Sequence, residues 1–561
     1  MVKRVFELML REISGLHEAA YLLGACAIAS QLLAIFRDRL FASAFGASRI
    51  LDIYYAAFRI PDFIFISIAS VVSISVLVPF LIDKLKSGED TGKHFVNDIF
   101  SIFFTAIAVI SFLAFLFMPV LIPYLFPGFA DDLARAELIT MARIMLLSPV
   151  FLGISNFLAS ITQIYNRFLV YALSPLLYNI GIIIGIVVLY PQFGLKGLAY
   201  GVVLGAFFHL AIQVPFIRKS GFLPSFQLPF HWSSVKKVVL ISLPRTLTLA
   251  SNQIATFFLV AIASLLGAGS IAVFNLSWNL QSVPLSIVGA SYASAAFPAL
   301  SRFISSGSRD KFLDGMVMSA RHIIFWSLPF VALFVVLRAQ IVRTILGAGQ
   351  FDWSDTRLTA ACLAIFILSA LPQSLLLLFV RGYYALGKTT KPLLINIASS
   401  IAIVILGYLF LHLFKIAPTF RYFIESLFKV ENVSGSVVLV LPLAYTLGTI
   451  INALWHFIAF QREFKDFSRP VWRTFFSSGS AAVIMGYVAY TFLNVFDKVF
   501  NINTLVGIFF QGFFSGIIGI AFGILILMLM KNDEIGEIWK VLHHKIWKAK
   551  VIGADPVETT H

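Results

Sequence analysis

Apolar stretches of roughly 20 residues recur along the whole chain, each long enough to cross about 30 Å of hydrocarbon as a helix. No other feature of the sequence constrains its fold as tightly. A backbone inside lipid must satisfy its own hydrogen bonds, so it spans either as a helix or as a closed barrel. Barrel strands alternate apolar and polar residues, and runs such as SSIAIVILGYLFLHL at 399–413 do not. The chain is 59% hydrophobic and 12% charged, whereas a soluble domain carries about 25% charged residues. One soluble core cannot absorb that excess. The sequence therefore predicts an all-α integral membrane protein with about fourteen transmembrane helices.

The spans are read at 14–36, 51–82, 95–121, 137–163, 171–190, 195–217, 235–264, 271–300, 315–338, 356–384, 391–414, 436–460, 474–496 and 504–530. With the N-terminus in the cytoplasm, 27 Lys and Arg fall on the cytoplasmic side and 12 on the other. By the positive-inside rule both termini are then cytoplasmic. The formal net charge of +15 is accounted for by these short basic loops, so nucleic acid is not indicated as a partner. Cys26 and Cys362 lie far apart in apolar segments, which argues against a disulfide framework or a zinc site. Met1–Ile13 reads as an amphipathic lead-in without a cleavable signal-peptide pattern. Residues 415–435 read as a short interfacial helix.

The chain repeats itself. PLLYNI at 175–180 returns as PLLINI at 392–397, and FGAS at 45–48 resembles LGAG at 266–269. Each of the latter is followed by a long span ending in a proline, VPF at 78–80 and FPA at 297–299. Near-constant offsets imply two copies of a six-helix unit. Because six is even, the copies share one orientation and relate by a pseudo-two-fold along the membrane normal, with a cavity between them. The expected organisation is a lead-in over 1–13, an N-lobe over 14–217, a C-lobe over 235–460, two further helices over 474–530, and a cytoplasmic tail over 531–561.

Charge is concentrated where hydrocarbon should exclude it. The junction of the first two spans places Arg37, Asp38, Arg39, Arg49, Asp52, Arg59 and Asp62 within 26 residues. Seven residues separate Asp52 from Arg59, which puts them on one helix face, and Asp62 is three beyond Arg59. Ionisable groups at membrane depth face water-filled cavities and mark pathways. Guanidinium matches phosphate by planar bidentate hydrogen bonds. The pattern points to a site for an anionic headgroup; the alternative is interfacial snorkelling and structural ion pairing. Arg245, in the opposite half, is a further candidate cavity charge. A sodium site would need clustered oxygens, for which Asn252, Gln253, Asn396 and Thr446 are candidates by polarity alone. GYYALGKT at 382–389 formally matches a phosphate-cradling loop, but an apolar span precedes it where a strand is required, so it reads as a basic turn. Gly181 and Gly185, and Gly197, Gly201 and Gly205, are spaced for close helix packing. No catalytic constellation occurs, and an enzyme is not expected.

RDRLFASAFGASRILDIYYAAFRIPD at 37–62 resembles the second-span region of the MurJ (MviN) lipid II flippases, within the multidrug/oligosaccharidyl-lipid/polysaccharide exporter superfamily. PGFA at 127–130, YNRF at 165–168 with Pro175 and Asn179, and GYYALGKTTKP at 382–392 resemble the same family. The resemblance implies two six-helix lobes plus two helices lining a lipid-tail groove. It implies alternating access in a bacterial cytoplasmic membrane, carrying an undecaprenyl-pyrophosphate-linked peptidoglycan precursor to the outer leaflet. It further implies no cofactor beyond coupling to Na⁺, H⁺ or the membrane potential, and a monomer among membrane lipids and cell-wall enzymes. Arg37 and Asp52 match charged cavity positions of the family and Arg59 a basic one. Three arginines common in the family are replaced here by Gln31, Phe65 and Asn279. That departure leaves open a carrier of another polyprenyl-linked saccharide, of the O-antigen or capsule type, or a non-transporting cell-wall scaffold. A drug antiporter would favour acidic and aromatic cavity residues instead.

Overall fold

Runs of Leu, Ile, Val, Phe and Ala broken by few charges leave the backbone no hydrogen-bond partner but itself, and helices follow. The computed structural model describes residues 16–69, 80–81, 88–165, 168–227 and 232–536. The lead-in 1–13, the tail beyond 536 and the proline expected to end the second span, Pro79, lie outside them. Among the described residues every regular element is helical.

The longer helices of the first half are α1 (Leu16–Phe45), α2 (Arg49–Ala69), α3 (Glu89–Leu125), α4 (Asp132–Met145), α5 (Leu147–Ile164), α6 (Phe168–Ile184) and α7 (Leu195–Ala211). The second half holds α8 (Trp232–Ser264), α9 (Ser270–Pro284), α10 (Ser291–Ser305), α11 (Arg309–Val336), α12 (Trp353–Ile367), α13 (Ala370–Ala385), α14 (Thr390–Ile416), α15 (Pro418–Phe428) and α16 (Val440–Glu463). Two long helices follow, α17 (Ser468–Phe496) and α18 (Leu505–Leu529). Twelve helical stretches, from Asp90–Leu125 to Leu505–Leu529, are long and apolar enough to cross a membrane. The charged helices α1 and α2 stand at the first two predicted spans, which is consistent with about fourteen passages.

Two predicted spans are not continuous. The stretch 137–163 is divided at Leu146 into α4 and α5, and 356–384 is divided after Ile367 into α12 and α13. A proline follows each break. Pro149 has no N–H for the carbonyl of Met145, and Pro372 has none for that of Leu368. Two other spans widen to a π-turn, over Gly185–Leu189 and over Leu285–Ala290. The predicted interfacial segment forms α15 and stops at Lys429, whose left-handed φ of 57° ends the helix.

Small residues set the closest helix contacts. A Cβ on Gly181 would lie 2.2 Å from Gly205 Cα, and one on Gly201 would lie 2.4 Å from Gly185 Cα. These two pairs bring α6 and its π-turn against α7. In the second half α14 packs on α16, and α17 packs on both α18 and α11. The segment after α18 is fastened by Glu534, which is buried and accepts from Arg321 Nε at 2.7 Å and from the Thr474 hydroxyl at 2.6 Å.

Two outcomes follow from this packing. Gly181→Ala should lower the detergent thermal midpoint, at a cost of about 1–3 kcal/mol for overpacking. Gly24→Ala, with nothing within 4 Å of the added carbon, should not. Burial pushes the Glu534 carboxyl up, but the Thr474 hydroxyl and the Arg321 guanidinium outweigh it and hold it below its ordinary 4.5. A carboxylate with a depressed folded value stabilises fully above its unfolded value and loses that contribution as pH falls through the folded one. The thermal midpoint should therefore drop in acid below about pH 4.5, and Glu534→Gln should flatten that dependence.

Candidate functional site

The site begins with two neighbours on α1. Arg37 folds over Asp38, donating from Nη2 at 2.7 Å and from Nε at 3.0 Å to Oδ1. Its Nη1 reaches Asn179 Oδ1 on α6 at 2.9 Å. Asn179 in turn donates from Nδ2 to the Pro175 carbonyl at 3.0 Å, which turns its oxygen toward the guanidinium. The second oxygen of Asp38 accepts from Asn279 Nδ2 on α9 at 3.0 Å. The buried Asp38 carboxylate thus ties α1 to α9 of the second half, and the Arg37 it holds ties α1 to α6.

One face of α2 adds the next pair. Arg59 donates from Nη2 to Asn275 Oδ1, and Asn275 is held by its own donation to the Ile271 carbonyl at 2.7 Å. Among the described residues, Arg59 Nε and the Tyr55 hydroxyl are buried without a hydrogen-bond partner. A turn further on, Asp62 accepts from Gln253 Nε2 on α8 at 2.8 Å. Arg37, Asp38, Arg59, Asp62, Gln253 and Asn279 all line one cavity of about 380 Å³. Phe65 also lines it, together with aromatic rings that include Tyr54, Tyr178 and Trp278. The arrangement can offer guanidinium donors to an anion and aromatic faces to an apolar or sugar group.

Three charged residues named from the sequence lie elsewhere. Asp52 does not line the cavity. It is 1% exposed, and its two oxygens accept from the backbone N–H groups of Gly269 at 2.7 Å and Ala272 at 2.9 Å. It is the anion at the N-terminus of α9, supplied by the other half of the chain. The helical spacing explains this: the α2 face that brings Arg59 to Asn275 brings Asp52, two turns earlier, to the start of the same helix. Arg39 donates to the carbonyls of Thr344 and Ile345 at 2.6 and 3.1 Å. Arg49 donates to the Gly128 carbonyl at 2.8 Å and lies 4.0 Å from the Phe129 ring centre.

These contacts interlock the connections after α1, α3 and α8 and around α12, which all lie on one side of the molecule. There is no room for a Cβ at the crossings. One on Gly128 would meet the Ser264 carbonyl oxygen at 1.7 Å, and one on Gly269, whose φ is 87°, would meet the Ala47 oxygen at 2.2 Å.

Of the four sodium candidates, the three with described side chains are dispersed. Gln253 belongs to the cavity, Asn396 accepts from Asn452 Nδ2 at 2.9 Å, and Thr446 donates to the Ile365 carbonyl at 2.9 Å. Asn252 and Arg245 lie on α8, and their side chains fall outside the described ones. The stretch 382–389 is the last turn of helix α13 and the residues just beyond it, and it gives Lys388 to Glu463. The sequence had signalled neither Asn275 nor the pairing of Asn179 with Arg37. Each is an amide in an apolar span, which is itself the available signal.

Removing the Asp52 carboxylate takes the cap from α9. Asp52→Ala should lower the thermal midpoint, with a cost of about 1–2 kcal/mol. Arg49→Ala should cost less, since its donor leaves a carbonyl rather than two amides unpaired. Differential scanning fluorimetry of the purified variants compares them.

Comparison with known proteins gives a consistent result. Residues 41–511 match the model of a family described as "Lipid II flippase MurJ". A probable lipid II flippase MurJ of Rhizobium tropici is 26% identical over 381 residues, covering 66% of this chain and 71% of that protein. The lipid II flippase MurJ of Burkholderia cenocepacia is 24% identical over 475 residues, covering 83% of this chain and 88% of that one. Among solved structures, "Lipid II flippase MurJ, inward closed conformation" superposes with a TM-score of 0.72 at 22% identity, over 92% of this chain and all of that one. An inward-facing multidrug resistance MATE transporter of the MOP superfamily superposes at 0.61 and 16% identity, over 78% of this chain and 96% of that one. These two likenesses are of fold. The chain is a multi-pass α-helical membrane protein, and with the family model matched over most of its length it belongs to the lipid II flippase MurJ family.

Proposed function

We propose that this chain is a flippase that translocates the undecaprenyl-pyrophosphate-linked peptidoglycan precursor, lipid II, from the inner to the outer leaflet of a bacterial cytoplasmic membrane. The observation that carries this is the pair Arg37 and Arg59 on the wall of one cavity between the halves, with Arg59 Nε buried and unpartnered among the described residues. A pyrophosphate supplies the acceptors such a guanidinium lacks. Family membership supports the cargo.

In this proposal the lobes 14–217 and 235–460 rock about the cavity while 474–530 borders the polyprenyl tail. Both termini face the cytoplasm, and the residues after 531 lie there. The headgroup enters the cavity from the inner leaflet with its tail still in lipid. It displaces the weaker partners of the two arginines, and the neutralised complex favours closure. The interlocked end bearing Asp52, Gly128 and Gly269 must then part for release. No covalent chemistry is involved, and no side chain acts as more than a ligand.

A second cargo class deserves an arm of its own, because Phe65 and Asn279 stand in the cavity wall where family arginines are common. An amide and a ring in those places suit an uncharged sugar better than a second phosphate.

The test is complementation of a strain depleted of its lipid II flippase. The parent chain should restore growth. Arg37→Ala and Arg59→Ala should each lower transport by roughly ten- to a hundred-fold, the expected loss of one charge-assisted hydrogen bond of about 1.5–3 kcal/mol. Rescue that is indifferent to the double variant, with expression matched by immunoblot, would overturn the site. Failure of the parent in that strain, together with restored surface polysaccharide in a strain lacking an O-antigen flippase, would move the cargo to the second class.

A further inference from the structure

A second charged cavity, of about 430 Å³, lies far from the first in sequence and shares no wall residue with it. It is bounded by the N-terminal turns of α17, the middle of α11 and the segment after α18. Its wall carries four cations, Arg321, Arg469, Arg473 and Lys531, and two carboxylates, Asp533 and Glu534. The carboxylates are already engaged. Arg321 holds Glu534 at 2.7 Å and Asp533 at 3.4 Å, and Thr474 holds Glu534 as well. Arg469, Arg473 and Lys531 make no side-chain hydrogen bond or ion pair among the described residues. An excess of positive charge therefore faces this cavity, and its carboxylates are turned to Arg321.

The surroundings indicate where the missing anion comes from. Trp472, between the two free arginines, is 42% exposed and stacks on Phe476, which is 64% exposed, at 5.7 Å. Next to Met530 of the cavity wall, Leu529 is 70% exposed at the end of α18. Helices α17 and α18 both belong to candidate membrane spans, so these apolar side chains face lipid, and Trp472 occupies the interfacial position that tryptophan favours. The cations sit at the rim where acyl chains give way to headgroups.

We propose that this cavity binds the phosphate headgroup of an anionic phospholipid from the leaflet beside it, with Arg469, Arg473 and Lys531 as its ligands and its acyl chains along the exposed faces of α17 and α18. Arg321 is left to hold the C-terminal segment, so the lipid closes over a latch that is already made. The inference does not rest on the flippase proposal, because no residue of the central cavity takes part.

The full chain, purified and delipidated in detergent, is titrated by native mass spectrometry with phosphatidylglycerol, with phosphatidylcholine and with inorganic phosphate. The parent should retain phosphatidylglycerol well above phosphatidylcholine, and inorganic phosphate should bind far more weakly. Each basic residue near a membrane surface contributes about 1 kcal/mol, so Arg469→Gln with Arg473→Gln should weaken phosphatidylglycerol retention about thirty-fold and Lys531→Gln alone about five-fold. Arg469→Lys with Arg473→Lys should restore most of it, which a general loss of fold would not allow. All three side chains are exposed, so an unchanged thermal midpoint without lipid is expected. Equal retention of phosphatidylglycerol by parent and double Gln variant would overturn the site. Equal retention of phosphatidylcholine, or inorganic phosphate binding as tightly as the lipid, would overturn the phospholipid as its ligand.

Discussion

An ion in hydrocarbon must find its counter-charge or donors within the protein, and the first two helices are arranged around that requirement. Helices α1 and α2 carry Arg37, Asp38, Arg39, Arg49, Asp52, Arg59 and Asp62 through a stretch where a bare charge costs several kcal/mol. Every one meets a partner from a distant part of the chain or faces the cavity. Asp38 bridges to Asn279, Arg59 to Asn275, Asp62 to Gln253, and Asp52 to the start of α9. The partners lie on α8 and α9. The two halves of the chain are therefore joined by electrostatic satisfaction where lipid offers no hydrophobic force between helices.

That joining has two chemically distinct parts. At the interlocked end the contacts are to backbone: Asp52 to two amides, Arg39 and Arg49 to carbonyls, with glycines where backbones cross. Backbone partners are fixed by the path of the chain and cannot swing aside for a ligand as a side chain can, which suits a contact that holds the fold. Inside the cavity the partners are side-chain amides and carboxylates. An arginine held by Asn179 or Asn275 gives up a neutral acceptor when an anion arrives, and gains a charged one. The difference marks which of the charged residues can act on a ligand and which keep the walls in place.

Much of this was legible in the residues. The recurring apolar stretches announced a multi-pass helical protein of about fourteen passages. Seven-residue spacing put Asp52 and Arg59 on one face of α2, where both meet α9. What spacing could not tell was how far up that face each side chain would reach. Asp52 was expected in the cavity and instead caps a helix, because its partner, the turn before Ser270, comes from over two hundred residues away and leaves no local trace. Asn179 stands out in the sequence as part of the PLLYNI segment and not as a ligand of Arg37, for the same reason. The breaks at Leu146 and after Ile367 had a local cause in Pro149 and Pro372, but proline is tolerated within membrane helices too often to announce one.

The π-turns at Gly185–Leu189 and Leu285–Ala290 have a bearing on descent. A π-turn carries one residue more per turn than the α-helix it interrupts, so the side chains beyond it are rotated by about 100° from where an uninterrupted helix would place them. Gly185 and Gly289 lie within these turns at close approaches to α7 and α13, so the neighbouring helices are fitted to the widened backbone. A lineage could not restore a plain helix there by exchanging side chains. It would have to delete a residue and re-fit both faces at once, so the extra residue should persist through sequence drift as a fixed difference in length between branches that have it and branches that never did.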